Sequence, residues 1–387
     1  MHARPPASRT IGGHNVSYRS GGGVASIRTA HGATVYRGPH GGVVAVRERG
    51  GVRTVAFGRH GGYVDRAYPG RWHGHEYRVR SYWYGGRRYA VAYRAYYWGG
   101  RPYYWYAPPF YWRPAFYGWA FNPWAVPVAY AWGWAGTPWF GFYAGYFTPY
   151  PVYASANLWL TDYILAENLR MAYEAQQDAA AAAAASDAGQ QRPLSPEAKA
   201  LIAQEVKEQL AAERQAAAGQ ASGAPPPPEA ANQAPPALDP TQRVFIVDSN
   251  LDITTADGAE CGVTPGDILL RTGDTLVDGT KVGVSVQSSK NGDCDPGSNG
   301  NVEVADLQEM HNHFREQMDA GLKQLADNQG KNGLPAAPDT STVASSDVPP
   351  VQPDNDVQAQ VQGLQSEADQ AEKDVNQKSG AGGGGTK

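Results

Sequence analysis

The residue pair with the clearest potential for catalysis in this chain is Cys261 and His311. A thiolate is a strong nucleophile, and an imidazole can accept its proton. The second of the chain's two cysteines, Cys294, lies in the same short segment and offers Cys261 a disulfide partner. We therefore expect a disulfide between Cys261 and Cys294, with two reduced, buried thiols as the alternative, and we expect no catalytic residue.

Metal-binding chemistry would depend on two histidine pairs. His73 and His75 are two residues apart in a predicted turn, and His311 and His313 are two apart in a predicted helix. Residues at that spacing on a helix point to different sides, so the second pair cannot chelate one ion. Neither pair belongs to a set of four zinc ligands, and residues 293–297 lack the later Gly and Glu of a calcium loop. We expect no metal and no cofactor.

Arginine dominates the charge of the first part of the chain. Before residue 120 there are 18 Arg, no Lys and three acidic residues, which gives that part a net charge of +15 and the remainder −19. The guanidinium group binds phosphate and carboxylate through two hydrogen bonds and stacks on aromatic rings. This pattern indicates an anionic partner such as lipopolysaccharide, acidic polysaccharide or nucleic acid. The alternative is that arginine keeps an aromatic-rich chain soluble.

Aromatic side chains are concentrated in residues 82–153. This block holds 31 of the 43 aromatic residues, and no Asp or Glu occurs between Glu76 and Asp162. Such density indicates either a packed aromatic core or stacking platforms for sugars, bases or other aromatic chains. For a binding surface, the candidate ligand-binding residues are Arg78, Arg80, Arg87, Arg88, Tyr103, Tyr104, Trp105, Trp132 and Trp134.

Short strands are predicted to position these residues within the Arg/Gly-rich region 1–106. Gly-rich separators of the kind that hairpin turns require divide it into segments of alternating character. The pattern predicts a β-meander or an irregular repeat, with one Arg-rich face and one aliphatic or aromatic face. Disorder with transient strands is the alternative. The predicted strands cover residues 24–30, 33–37, 43–47, 52–57, 63–68, 76–84 and 89–98.

The aromatic, Pro- and Gly-rich block proper covers residues 107–154. Six prolines interrupt its apolar stretch between residues 114 and 153. In lipid, such interruptions would leave backbone groups without hydrogen-bond partners. We therefore expect no transmembrane span.

Two helical segments are predicted within residues 155–217. Ser155 could cap the first, which would run from about residue 158 into the alanine run at 179–185. The second has Ser195 as its N-cap, Pro196 at its first position and Glu197 in its first turn. The narrow apolar stripe of the second helix is typical of a partner-binding or coiled-coil stalk. A Pro-rich linker is predicted at residues 218–240.

A small β-barrel-like domain with a following helix is predicted over residues 241–329. Its strands are expected at 244–247, 251–255, 268–271, 281–288 and 301–304. The helix would be capped by Asp306, with Glu309 three residues later and apolar residues at helical spacing from Leu307 to Leu325. Residues 330–387 are polar, contain no aromatic residue and are predicted to be a disordered tail with a transient helix near 357–375.

Two segments of the β domain resemble known families. Residues 249–255, with Leu251 and Ile253 in a strand, followed by the Gly266 turn and residues 267–269, resemble the opening half of a bacterial SH3-like barrel. That resemblance covers about 60 residues and implies binding to peptidoglycan or another envelope polymer. Residues 262–269 are also similar to the Gly-hydrophobic-x-x-Gly-Asp segment of PDZ domains, which we rank second. Residues 130–134, Tyr-Ala-Trp-Gly-Trp, resemble the Tyr/Trp/Gly repeats of uncharacterised exported bacterial proteins.

These features predict a mixed fold and a non-catalytic, exported protein of the cell envelope or extracellular matrix, located in the periplasm, at the cell surface or outside the cell. It would bind acidic polysaccharide or lipopolysaccharide, or self-assemble through its aromatic region. The alternative is a nucleic-acid-binding protein that uses its Arg/Tyr/Gly-rich segments. Residues 1–6 lack the apolar core of a secretory signal. For an exported protein, we expect that such a signal was removed or that the start was assigned too far downstream.

Overall fold

Ten antiparallel strands follow one another in sequence order and form the first sheet of the protein. The computed structural model describes residues 8–19, 23–38, 43–58, 61–180, 191–222, 234–255, 258–290, 294–345 and 347–380. The predicted β-meander is confirmed. Its strands are β1 Ser8–Ile11, β2 His14–Tyr18, β3 Val24–Arg28, β4 Ala33–Arg37, β5 Val43–Arg49, β6 Val52–Phe57, β7 Gly61–Ala67, β8 Tyr77–Tyr84, β9 Arg87–Trp98 and β10 Arg101–Ala107.

Glycine pairs make several of the tight turns between these strands. Gly50 and Gly51 join β5 to β6 with φ angles of 60° and 77°, and Gly85 and Gly86 join β8 to β9 with φ angles of 54° and 77°. Two consecutive left-handed residues are what a type I′ hairpin turn requires, and glycine adopts that conformation without a steric penalty. The Gly-rich separators of the sequence therefore fix the registers of the strands on either side.

The aromatic block forms a core together with two long helices. Buried rings such as Phe116, Trp132 and Trp159 pack in one cluster with Ile202 and Val206. The two long helices therefore lie inside the fold, and the predicted stalk is wrong because their apolar faces are covered by aromatic side chains of the same chain. The elements of this region are β11 Phe110–Trp112, α1 Pro114–Phe121, α2 Pro138–Phe142, α3 Ala156–Ala180 and α4 Pro196–Ala221.

The start of α4 agrees with its sequence signals. Ser195 is the N-cap, and its Oγ accepts a hydrogen bond of 3.1 Å from the amide N–H of Ala198. Pro196 follows at the first helical position and Glu197 lies in the first turn. The predicted cap is confirmed. Helix α3 begins at Ala156, directly after Ser155, and the expected continuation into residues 181–185 lies outside the described residues.

A second antiparallel sheet follows the 3₁₀ turn Pro236–Leu238. Its strand order is β12-β15-β16-β17-β13-β14, and among the residues that the structure describes the two edge strands do not pair with each other. The sheet is open, so closure into a small barrel is not confirmed. Its strands are β12 Val244–Ile246, β13 Leu251–Thr255, β14 Glu260–Val263, β15 Ile268–Val277, β16 Lys281–Ser288 and β17 Asn299–Glu303.

The two cysteines of the second sheet form a disulfide. The Sγ atoms of Cys261 and Cys294 are 2.05 Å apart, and their Cα atoms are 5.0 Å apart. The predicted pairing is confirmed at bonding distance. The bridge ties β14 to the segment that precedes β17, and Cys294 is fully buried in the core of the second sheet.

Helix α5, Val304–Asn328, connects the two sheets. It begins three residues earlier than predicted: Glu303 is the N-cap residue, and Asp306 lies in the first turn instead of capping the helix. Its predicted apolar stripe is buried, including Leu307, Phe314 and Leu325. Asn312 of this helix accepts a 2.9 Å hydrogen bond from the amide N–H of Tyr106 in β10. The side-chain amide of Asn312 therefore provides a hydrogen-bond partner for the backbone of the edge strand β10, where a further strand would otherwise pair.

The prediction of a disordered tail at residues 330–387 is wrong for much of that segment, which contains a strand and a long helix. Strand β18, Thr342–Ala344, pairs with β11, and helix α6, Val357–Gly380, packs on the first sheet. Leu364 and Val361 of α6 are buried against valine and alanine side chains of the sheet. The helix at the position predicted for a transient one is thus a buried element. Residues 381–387 lie outside the described part of the chain.

Gly62 in β7 allows α6 to approach the first sheet closely. A Cβ atom at this position would lie 2.8 Å from Cγ1 of Val361 and 2.1 Å from the carbonyl oxygen of Val55. Any larger residue would push the helix away from the sheet and disturb the neighbouring strand. The glycine is therefore required by packing and not by a turn.

Acidic residues near the C-terminus neutralise arginines of the first sheet. Nε of Arg37 is 2.6 Å from Oε1 of Glu372, and Nε of Arg66 is 2.6 Å from Oδ2 of Asp354. Arg47 pairs in the same way with Glu367. The charge asymmetry between the two parts of the sequence is therefore balanced in part within the molecule.

Candidate functional site

A cleft of about 1380 Å³ lies between the first sheet, helices α3 and α5, and the residues that follow β12. One wall is the face of the first sheet that points away from α6. The opposite wall is one side of α5, together with the loop at residues 248–252. This volume exceeds the range of about 300–1000 Å³ typical of small-molecule pockets, so the cleft can take an extended ligand.

Tyrosine rings form a row on the sheet wall. Tyr63, Tyr82 and Tyr89 are direct cross-strand neighbours in β7, β8 and β9. The rings of Tyr82 and Tyr89 stack with centroids 4.8 Å apart, and Tyr89 is 46% exposed. Tyr36 in β4 is 48% exposed and lines the same cleft. The wall thus presents flat apolar ring faces that carry hydroxyl groups.

Charges alternate along the next cross-strand row of the same wall. Glu48, Arg53, Asp65 and Arg80 are neighbours on β5, β6, β7 and β8. Such alternation places opposite charges directly across from each other, which stabilises the sheet. Nε of Arg53 is 3.7 Å from Oε1 of Glu48, and Nη2 of Arg80 is 3.5 Å from Oδ2 of Asp65.

Arg80 is the central cation of the cleft. Its side chain is 7% exposed, pairs with Glu309 of α5, and lies over the rings of Tyr63 and Tyr93 at 4.2 and 4.3 Å. Burial by itself would lower the pKa of Arg80, but Glu309 and the surrounding tyrosines outweigh it and raise the pKa. Burial would likewise raise the pKa of Glu309, and Arg80 holds it below its usual value. Both groups are therefore charged.

Helix α5 presents polar residues to the cleft at positions 306, 309, 313 and 316. This spacing places Asp306, Glu309, His313 and Glu316 on one side of the helix, opposite its apolar stripe. Burial lowers the pKa of His313 to about 4, so its imidazole is neutral at neutral pH. It contributes a hydrogen-bonding group to the cleft and no charge.

Three carboxyl groups of the cleft have raised pKa values. Burial raises the pKa of Glu316 to about 7, and the hydroxyl groups of Tyr93 and Tyr82 donate hydrogen bonds to it. Burial, with repulsion from Glu309, raises the pKa of Asp248 to about 7. Burial, with repulsion from Glu303, raises the pKa of Asp306 to about 6. These groups are only partly ionised at neutral pH.

The arginines that the sequence singled out lie in and around this cleft. Arg80 lines it, and Arg78 on the same strand pairs with Asp65 and lies over the ring of Tyr104 at 5.3 Å. Arg87 and Arg88 are exposed at the β8–β9 turn, where Nη1 of Arg88 donates a 2.9 Å hydrogen bond to the carbonyl oxygen of Asn355. Two of the four are thus engaged in ion pairs with the protein itself.

The singled-out aromatic residues have separate surroundings. Tyr103 and Tyr104 both line the cleft, and Tyr103 is also buried against the core of the second sheet. Trp105 is half-buried beside Tyr96, with ring centroids 5.3 Å apart. Trp132 is buried in the aromatic core, where its indole N–H donates a 2.7 Å hydrogen bond to the hydroxyl of Tyr153, and Trp134 stacks on it. The residues do not converge on one surface.

The other candidate groups are also dispersed. Cys261 is bonded to Cys294, so it has no free thiol to pair with His311. Burial lowers the pKa of His311 to about 3, and His313 lies on the cleft side of α5. Within the described ranges, no three His, Cys, Asp or Glu side chains are grouped as metal ligands would be.

Several residues of the cleft were not predicted from the sequence. Tyr36, Tyr89, Asp248 and Glu316 have no motif that marks them. The recurrence of polar residues at 306, 309, 313 and 316 on the side of α5 opposite the apolar stripe is a signal that could have identified one wall. The pairing of that wall with tyrosines of the first sheet depends on the fold.

Comparison of the chain with protein-family models, with curated proteins and with solved structures found no match. Over the described ranges, no helix combines the length and the hydropathy that crossing a bilayer would require.

Proposed function

We propose that this chain is a non-catalytic glycan-binding protein of the cell envelope or extracellular matrix, and that the cleft is its binding site. The observation that carries the proposal is the row of tyrosines on one wall of a long cleft. A sugar ring has an apolar face that can lie on an aromatic ring, and hydroxyl groups that bind to charged side chains. Tyr36 and Tyr89 supply exposed rings, and Arg53 supplies a charged neighbour.

Two further observations support parts of this proposal. The disulfide between Cys261 and Cys294 is typical of proteins in oxidising compartments, which supports export. The same bond removes the one thiol nucleophile that the sequence offered, which supports a role without catalysis. The aromatic block is packed inside a single copy of the chain, which favours ligand binding over self-assembly through that block.

Binding to oligosaccharides would test the proposal. We expect the full chain to bind envelope-type glycan fragments in calorimetric titration. The double variant Tyr36→Ala/Tyr89→Ala should weaken binding at least about tenfold, which corresponds to about 1.4 kcal/mol. Tyr97→Ala is the matched control, because Tyr97 is 59% exposed on β9 and does not line the cleft. Displacement of the glycan by single-stranded RNA at a much lower concentration would instead favour the nucleic-acid alternative.

A further inference from the structure

One end of the cleft holds two neighbouring carboxyl groups. Asp248 lies after β12 and Asp306 in the first turn of α5, close enough for Asp306 to contribute to the raised pKa of Asp248. Neither has an ion-pair partner among the described residues. Arg53 and Arg80 on the opposite wall are already matched, because Arg53 pairs with Glu48 and Arg80 pairs with Asp65 and Glu309. These carboxyl groups are available to a cation from outside the chain.

Arg80 provides an independent indication of a ligand at this end. Its side chain is 7% exposed, and within the described structure its Nε–H has no hydrogen-bond acceptor. A buried donor without a partner costs roughly 1–3 kcal/mol, so an acceptor atom placed there would stabilise the complex. A ligand that fits this site therefore has a cationic group for the carboxylates and, close to it, an oxygen that accepts a hydrogen bond from Nε–H of Arg80.

We propose that the cleft binds a glycan of amino sugars whose amino groups are free, with Asp248 and Asp306 holding the ammonium group. This inference rests on the proposed glycan-binding function and names the ligand class. A hexosamine unit combines an ammonium group for the carboxylates, hydroxyl oxygens for Nε–H of Arg80, and an apolar ring face for the exposed cleft tyrosines Tyr36 and Tyr89. An acidic polymer would instead be repelled by the carboxylates of Asp248 and Asp306.

The pH dependence of binding follows from the groups that surround the two aspartates. Burial raises the pKa of both, Glu309 raises that of Asp248 further, Glu303 that of Asp306, and Arg53 opposes the effect at Asp306. His313 is neutral across the range, and Arg80 remains charged. An ammonium ion pairs with the ionised carboxylate only. Affinity should therefore rise between pH 5 and pH 6, where the two groups begin to lose their protons while the sugar amino group is still largely protonated.

The test is a calorimetric titration of the full chain with three hexasaccharides, built from glucosamine, from N-acetylglucosamine and from galacturonic acid. We expect the glucosamine oligomer to bind tightest at pH 7. The variant Asp248→Asn/Asp306→Asn should lower its affinity at least about tenfold and leave that of the N-acetylated oligomer unchanged. Asp295→Asn/Asp327→Asn is the control, since it removes the same two charges from side chains that are 69% and 60% exposed and do not line the cleft.

The remaining outcomes distinguish failure of the amino-sugar inference from failure of the proposed glycan-binding function. If the N-acetylated oligomer binds as tightly as the free amine, or the galacturonic acid oligomer binds tightest, the amino-sugar inference is overturned while glycan binding stands. If no oligosaccharide binds, the proposed function fails, and the inference with it. Should the double variant not fold, the pH profile of the unmodified chain decides: an affinity for the glucosamine oligomer that is flat or falls from pH 5 to pH 6 overturns the inference.

Discussion

Arg80 shows how one residue that looks suited to an external ligand can be engaged by the protein itself. It was singled out because guanidinium groups near aromatic rings are typical of anion-binding surfaces. In the structure, Glu309 and Asp65 neutralise it, and two tyrosine rings cover its faces. What remains for a ligand is one N–H group. The contribution of Arg80 is therefore mainly to hold α5 against the first sheet.

We predict that Arg80→Met destabilises the fold by roughly 3 kcal/mol, because it removes the cation paired with Glu309 and one of the two cations paired with the buried Asp65. Urea denaturation monitored by tryptophan fluorescence measures the change. The matched control is Arg87→Met, at an exposed position on the neighbouring strand, with an expected change within about 0.5 kcal/mol. Equal, small effects of both substitutions would show that Arg80 does not anchor the helix.

At the scale of elements, α6 covers the aliphatic face of the first sheet. A sheet with one bare aliphatic face would expose its valines and alanines to water, and Leu364, Val361 and Val375 of α6 bury them. The segment reads as disordered because it is polar and contains no aromatic residue. Its apolar positions nevertheless recur at helical spacing, and the sheet supplies the surface that makes a marginal helix stable.

Leu364→Ala in α6 is predicted to cost about 3 kcal/mol, since the side chain is fully buried and its removal leaves a cavity between helix and sheet. Gln362→Ala, at an exposed position on the same helix, should change stability by no more than about 0.5 kcal/mol. Thermal unfolding followed by circular dichroism compares the two. If Leu364→Ala unfolds at the same temperature as the unmodified chain, α6 does not contribute to the cooperative core.

At the scale of the whole molecule, charges far apart in the sequence compensate one another. The arginine-rich first sheet is met by acidic residues of α5, α6 and the segment before α6. A net charge of −4 therefore describes a molecule in which much of the positive charge is already paired. We therefore expect its affinity for polyanions to be lower than the local composition suggests.

We predict that removing three of these acids exposes a latent affinity for polyanions. The triple variant Asp354→Asn/Glu367→Gln/Glu372→Gln removes the nearest carboxylate partners of Arg66, Arg47 and Arg37 and should elute from immobilised heparin at a higher salt concentration than the unmodified chain. Glu197→Gln/Glu208→Gln/Asp327→Asn changes the net charge equally at sites away from the first sheet and is the control. Identical elution of the two triple variants would contradict intramolecular neutralisation.

The sequence by itself determined the local structure of this protein. Glycine pairs between alternating segments define the meander, because only glycine adopts two left-handed conformations in a row at no cost. Ser195 and Pro196 define the start of α4 for an equally local reason. Strands β4, β6, β13 and β16 span the predicted residues, and the disulfide joins the only two cysteines.

Only the tertiary structure decided which of these elements meet. The cleft requires Tyr89 of β9, Asp248 after β12 and Glu316 of α5 to line one cavity, and no spacing along the chain encodes that arrangement. The same holds for α6, whose stability as a helix depends on a sheet some 300 residues earlier in the chain. It also holds for Arg80, whose charge is neutralised by an ion pair with Glu309. The sequence shows which side chains are present. Whether a charged or aromatic group is left for a ligand depends on the partners that folding brings to it.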